Sequence, residues 1–421
     1  MDRGNRRVLG AAALVAGLLA VGTPVAAAPA GGPVYVPAGA TVVKDRYIVT
    51  LKATAGPAAL AAAPVATRYG GEAVRTYRKA LNGFALRATE AQARRLSADP
   101  QVARVEADAI SYGAEARYYP LWNLDLVDQR SSVLDDLYVY PDSAGAGVTA
   151  YVMDTGVRTT HSQFGGRASV GVDTVEDGWN GQDCHTEGHG THVAGTVGGV
   201  TFGIANRASL VSVRVLGCNN QGLNSEIIAG IDWITQNGVK PAVVNMSLGG
   251  GRSPAMDTAV TNSINAGYTY VASAGNWNAD ACNYSPAAVP AVITVAASNS
   301  INERATGWGG TQPGSNYGTC VDLFAPGQEI RSAHNATDSA VRVLRGTSMA
   351  SPHVAGAAAL LLADQPALTP AQVHAALVGS ATLNAIAPAT LSGSPNRLLY
   401  VEHPPAPSAR VAVERRLAAG R

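Results

Sequence analysis

Short, uninterrupted apolar runs recur through the middle of the chain: Val148–Met153, Leu210–Val215, Ala242–Met246, Tyr268–Ala272 and Val292–Ala296. Their length and β-branched content suit strands buried on both faces of a parallel sheet. Between them the spacing turns helical. Ile227, Ile228, Ile231 and Ile234 share one side of a helix over Asn224–Gln236. Ser253–Ala266 opens with Ser253 as N-cap and Pro254 at its first position, and Gly267 follows its end. Thr369-Pro370 opens a further helix to about Val378. This alternation predicts an α/β domain with a doubly wound, mostly parallel sheet.

The pattern differs before residue 114. Tyr47–Leu51, Val74–Tyr77, Phe84–Arg87 and Val102–Val105 read as strands, and Ala58–Tyr69 suits a helix. Thr89–Ser97 is a second helix, with Thr89 and Gln92 in capping-box spacing and Pro100 stopping it. Two helices among several strands predict a small α+β, ferredoxin-like split βαβ module. It holds no clustered histidines, cysteines or nucleophile, so the chemistry is expected elsewhere. Ahead of it, Arg3, Arg6 and Arg7 precede the apolar stretch Val8–Val21 and the small residues Ala26-Ala27-Ala28, the pattern of an export signal over residues 1–28. That stretch is too short to span a bilayer comfortably. Arg6-Arg7 leaves a twin-arginine route open. The expected divisions are therefore 1–28, 29–113, 114–401 and a Pro- and Arg-containing tail, 402–421.

Composition narrows the class. Charged residues are 14% of the chain and glycines number 46. A low charge content with many turns points to a compact extracellular enzyme. The net charge of +1 gives no electrostatic case for a nucleic-acid or anionic-membrane partner. Cys184, Cys218, Cys282 and Cys320 form no CxxC. In an exported chain they suggest two disulfides out of three connectivities, and sequential pairing closes the shortest loops.

Four segments carry candidate chemistry. In Arg345–Gly356, Ser348 stands just ahead of the apolar run Ala355–Leu362. Thr347 is expected to cap that helix, with Pro352 in its first turn. The Ser348 N–H would then lack an intrahelical acceptor and face the positive end of the helix dipole, as suits a nucleophile beside a developing oxyanion. Asp154 follows the first strand, at the sheet edge where parallel sheets bind ligands. His189 opens the glycine-rich helix Gly188–Thr196, and Asn276 lies in the strand-end loop Ser273–Asn276. Ala350 breaks a GxSxG elbow, which weighs against an esterase, and HExxH is absent, which weighs against a zinc trio of His185, His189 and His192.

The segments AYVMDTGV, GHGTHVAGT, VVNMSLGG, SAGN and GTSMASPHVAGAAAL resemble the subtilisin-like serine proteases, in the secreted proteinase K and aqualysin branch, from about Trp122 to Tyr400. The order Asp154, His189, Ser348 is that of subtilisin rather than of chymotrypsin. Ala80–Leu86 and Asp99–Asp108 resemble that family's inhibitory propeptide. The resemblance implies a secreted endopeptidase made as a zymogen, with Ser348 as nucleophile, His189 as base, Asp154 orienting it and Asn276 holding the oxyanion. It implies substrate edges at Ser247-Leu248-Gly249 and Asn220–Gly222, and an S1 pocket lined by Ser273, Ala274, Gly275, Gly249 and Gly250 that takes apolar or aromatic residues. Its expected partners are protein substrates and its own propeptide, acting as a monomer. No catalytic cofactor is implied. Structural Ca²⁺ is implied at the Pro290 and Val292 carbonyls with Asp322, and a second loop matches at Asp125, Asp128, Gln129 and Asp135, where Leu137 replaces a polar ligand. His192 and His353 are expected to be packed structural residues. The chain departs from the family at Asn220, Ser273, His185-Thr186-Glu187 and an insertion around Gly307–Pro313. An inactive binding protein on the same scaffold, with Glu187 disturbing His189, and a secreted esterase are the rival readings.

Overall fold

A computed structural model describes residues 31–36, 42–77, 79, 81–109, 114–118 and 121–402. The expected export signal and the tail beyond residue 402 lie outside the described residues. The chain divides into two compact units, Met1–Ser111 and Tyr112–Arg421.

The first unit runs β1 (Val42–Leu51), α1 (Ala58–Arg68), β2 (Glu72–Tyr77), β3 (Gly83–Arg87), α2 (Glu90–Ser97), β4 (Val102–Ala109). Its strands pair antiparallel in the order β2-β3-β1-β4. One sheet face packs Val49, Leu51, Phe84 and Leu86 against Val65 and Ala66 of α1 and Leu96 of α2. This is the ferredoxin-like arrangement expected from the sequence. Thr89 and Gln92 form a reciprocal capping box that fixes the start of α2.

In the second unit β5 (Ala114–Tyr118) pairs with β6 (Leu137–Pro141), and a short helix α3 (Trp122–Asp125) lies between them. There follow β7 (Thr149–Asp154), β8 (Ala168–Asp173), α4 (His189–Gly198), β9 (Ser209–Arg214), α5 (Asn224–Asn237), β10 (Ala242–Met246) and β11 (Gly250–Gly251). Next come α6 (Pro254–Asn265), β12 (Thr269–Ser273), β13 (Tyr284–Ser285), β14 (Ile293–Ser298), β15 (Leu323–Pro326), β16 (Ile330–Ala333) and β17 (Val341–Leu344). The helices α7 (Thr347–Asp364) and α8 (Pro370–Ser380) and the strands β18 (Thr382–Leu383) and β19 (Arg397–Leu398) complete it.

Nine strands form one sheet in the order β18-β19-β15-β14-β12-β10-β7-β9-β8, parallel except where β18 meets β19. Side chains alternate between its faces. Ala150, Val152, Val243 and Val271 join α4 and α7 in one core, while Tyr151, Met153, Val244, Met246, Tyr270 and Ala272 join α5 and α6 in the other. Both faces are covered, which is why the strands read as unbroken apolar runs. The chain leaves β7 toward β9 on one side and later returns to β10 on the other. That reversal opens a crevice at the carboxyl ends of β7, β9 and β10, where ligands bind in such sheets.

Cys184–Cys218 and Cys282–Cys320 are disulfides, each closing a separation of 34 or 38 residues. Loops of that size contribute about 3–4 kcal/mol each, mainly by restricting the unfolded chain.

Candidate active site

Asp154 ends β7 and is fully buried, with His189 at the first position of α4 beside it. The His189 Nδ1–H donates to Asp154 Oδ1 at 2.7 Å, and the Thr155 N–H donates to the same oxygen at 2.7 Å. Burial acts to depress the His189 imidazole. The charge of Asp154 and its hydrogen bond override this, so the net shift is upward.

The close approach of α4 to the end of β7 requires Gly190, because a Cβ there would sit 2.1 Å from the Gly156 carbonyl oxygen. Beneath the pair lies a second buried network not anticipated from the sequence. Asp183 accepts from Thr155 Oγ1 at 2.9 Å, and from the Thr191 N–H and hydroxyl at 2.9 and 2.6 Å. Thr155 Oγ1 in turn accepts the Gly190 N–H at 3.0 Å. Both threonines lie inside the matched motifs, in DTG and HGTH, and that was their only signal. Arg214, fully buried at the end of β9, donates from Nε to the Thr155 carbonyl at 3.1 Å. Its guanidinium is balanced by Asp173 and Asp177.

Ser348 lies in the first turn of α7. The helix begins one residue earlier than expected, at Thr347, with Gly346 as its N-cap. Thr347 is therefore not the cap. Its hydroxyl instead donates to Asn276 Oδ1 at 2.8 Å and accepts the Gly275 N–H at 3.1 Å. Pro352 falls in the second turn rather than the first. Lacking an N–H, it leaves the Ser348 carbonyl without its intrahelical donor. Ser247 Oγ supplies that bond at 2.8 Å, while Ser348 Oγ donates to the Ser247 carbonyl at 3.1 Å. Asn245 Nδ2 donates to Ser247 Oγ, and Ser351 Oγ donates to Asn245 Oδ1, so the end of β10 and the start of α7 are cross-bonded.

Asn276 follows β12. Its Oδ1 accepts the Thr347 N–H at 2.9 Å as well as the Thr347 hydroxyl, which sets the orientation of the carboxamide. Buried Asn316 holds the loop beyond it through the Trp277 and Ala279 N–H groups.

A cavity of about 370 Å³ lies at the ends of β10 and β12 and the start of α7, with Asp154 and His189 outside its lining. Ser348, Asn276, Ser247, Leu248, Gly249, Gly250, Gly222, Ser273 and Gly275 all line it, and every lining residue is uncharged. Ala274 does not. Strand alternation turns its methyl to the opposite side, where it is fully buried with Leu126, Ala281 and Ala296. Asn220 also lines the cavity and has φ +59°, a left-handed conformation that asparagine tolerates better than most residues.

The other histidines go elsewhere. His192 Nε2 pairs with the Ile330 carbonyl at 2.9 Å, and burial pushes it down to about 3. His353 Nδ1 donates to the Met349 carbonyl while Nε2 accepts from Asn123, and burial pushes it down to about 4. The rings of His185 and His189 are edge-to-face at 6.2 Å. The three rings His185, His189 and His192 thus do not converge on one point. Glu187 is ion-paired with Arg342 of β17.

A Subtilase family profile matches residues 145–400. The chain belongs to the subtilase family. A second profile, Peptidase inhibitor I9, matches residues 46–112. The subtilase chain is 51% identical over 331 residues to an extracellular serine proteinase of Thermus sp. strain Rt41A, covering 79% of this chain and 78% of that protein. It is 44% identical to alkaline serine exoprotease A of Vibrio alginolyticus, covering 76% of this chain and 58% of that protein. A cold-adapted subtilisin-like serine proteinase of known crystal structure superposes with a TM-score of 0.63 at 46% identity, over 68% of this chain and all of that one. This subtilase is a serine-type endopeptidase with an inhibitor-type module at its N-terminal side.

Proposed function

We propose that the protein is a secreted endopeptidase made as a zymogen, in which Ser348, His189 and Asp154 work as a relay and Asn276 stabilises the oxyanion. The observation that carries this reading is the 2.7 Å bond from His189 Nδ1 to buried Asp154, taken with the separate cavity that Ser348 and Asn276 line. That bond fixes Nδ1 as donor, so Nε2 is free to accept a proton. Ser348 Oγ attacks the scissile carbonyl as His189 Nε2 takes its proton. The oxyanion is met by the Asn276 NH₂ and the Ser348 N–H. Collapse expels the amine, which takes the proton from His189, and water then hydrolyses the acyl-enzyme by the same relay.

The uncharged cavity favours aromatic or aliphatic residues at P1, with the substrate strand bonded along Ser247-Leu248-Gly249 and Asn220–Gly222. The ion pair of Glu187 with Arg342 neutralises the charge that an inactive scaffold would need beside His189. A fluorophosphonate should label the mature protein at Ser348, and a peptide library should be cut after Phe, Tyr, Leu or Met. No label, or cleavage confined to Lys and Arg, would overturn the reading.

Residues 1–28 act as the export signal. Residues 29–113 serve as inhibitor and folding aid until cut within Ile110–Tyr118. Residues 114–401 are the catalytic domain, with 402–421 as a tail.

Calcium has a structural part in this reading. Burial, with Asp135 and Asp125 nearby, pushes the Asp128 carboxyl up to about 7, and burial raises Asp125 too. A hard divalent cation suits such a concentration of carboxylate oxygens. Asp125, Asp128, Gln129 and Asp135 are its candidate holders, although Asp125 already accepts the Asp135 and Asp136 N–H groups. At the other position, with the Pro290 and Val292 carbonyls, Asp322 Oδ2 accepts the Thr294 N–H and Oδ1 faces His374 Nε2 at 3.2 Å. The ion would cross-link loops and take no part in the reaction. Removing calcium with a chelator should lower the melting temperature of the mature enzyme, and adding it back should restore the original value. An unchanged melting curve would exclude both sites.

A further inference from the structure

The insertion Gly307–Pro313 carries Gln312 into the cavity that holds Ser348 and Asn276. Asn276 Oδ1 is occupied by the Thr347 N–H and hydroxyl, so its orientation is set from one side. On the other side Asn276 Nδ2 donates to Gln312 Oε1 at 3.4 Å. A carboxamide NH₂ has two hydrogens diverging from one nitrogen. With one directed at Gln312, rotation about the last side-chain torsion is opposed from both ends, and the second hydrogen keeps a fixed direction.

The loop is built to hold that glutamine in place. Trp308 is buried in the main core, and its carbonyl accepts from Arg345 Nη2 at 2.7 Å. Its indole N–H donates to Gln328 Oε1 at 3.3 Å. The Gly307 and Trp308 N–H groups both donate to the Pro313 carbonyl, which closes the loop on itself. The Gly314 N–H then donates to the carbonyl of Asn276 itself at 3.2 Å, and the Asn278 N–H to Gly314 at 2.9 Å. Loop and asparagine are therefore bonded through both backbone and side chain.

We infer that Gln312 is a positioning residue that holds the Asn276 carboxamide in its oxyanion-binding orientation. This rests on the oxyanion role proposed for Asn276. A single hydrogen bond of this kind corresponds to a change of about three- to ten-fold in rate. Gln312 is exposed, so its substitution does not threaten folding.

The test is a double-mutant cycle on the mature enzyme with one peptide substrate. Gln312→Met, which keeps the length and loses the acceptor, should lower kcat about three- to ten-fold and leave KM within about two-fold. It should weaken a peptide aldehyde, whose adduct carries the oxyanion, by the same factor. Asn276→Ala should lower kcat about 10²–10³-fold, and Gln312→Met added to it should then be silent. If Gln312→Met costs as much in the Asn276→Ala background, or acts on KM according to the residue after the scissile bond, Gln312 is a subsite wall and the inference falls. If Asn276→Ala itself leaves kcat unchanged, the oxyanion reading falls as well.

Discussion

Ser348→Ala should yield a full-length precursor that stays joined when purified alone, with peptidase activity lowered about 10⁶-fold in protein matured by another protease. The size follows from removing the only atom that forms the acyl-enzyme, leaving the oxyanion donors and the substrate edges in place. The fold should survive. The hydroxyl makes one hydrogen bond, to the Ser247 carbonyl, whereas the carbonyl of Ser348 keeps its own bond from Ser247 Oγ. Mass spectrometry of the purified precursor over days, with its melting temperature alongside, checks both halves. Unaided cleavage within Ile110–Tyr118 would refute self-processing, and a residual activity above about one-hundredth would refute Ser348 as the nucleophile.

Asp154→Asn should lower kcat about 10⁴-fold with the backbone unchanged, because an amide can donate to Nδ1 and so favour the wrong imidazole tautomer. It should also move the acid limb of the pH profile. The active form requires neutral His189, so activity is lost as pH falls through the pKa of that ring. Burial lowers this value and Asp154 raises it to above the ordinary 6.5. Wild-type kcat/KM should therefore decline with a midpoint above about 6.5. Without the carboxylate charge, burial dominates, and the midpoint of the weak residual activity should shift to lower pH. An unshifted midpoint in Asp154→Asn would mean that Asp154 does not set the His189 titration.

The parts of this fold with strong local signals were legible in advance. The five central strands were, because burial on both faces removes polar positions from them. The capped helices α2, α6 and α8 were also legible, since Thr89, Ser253 and Thr369 carry their stop-and-start chemistry in one or two side chains. The edge strand β8 was not, because Gly171 and its exposed positions break the pattern. The four-residue β16 and β17 were too short to show a period. At the site, the motifs single out Asp154, His189, Ser348 and Asn276, but carry no sign of the residues packed and bonded around them. Asp183, Arg214 and Gln312 act through contacts between segments far apart in sequence. Thr347 has the local signature of a cap, yet its hydroxyl bonds to a partner 71 positions away, which no local pattern encodes.

Pro352 has a mechanical consequence. A missing rung in the ladder of α7 uncouples the first turn from the seventeen or so ångströms of rod behind it, and the side-chain clasp from the neighbouring strand takes over. Ser348 is thereby tied through Ser247 to the end of β10, the strand that pairs with β7 and so with the element that carries Asp154.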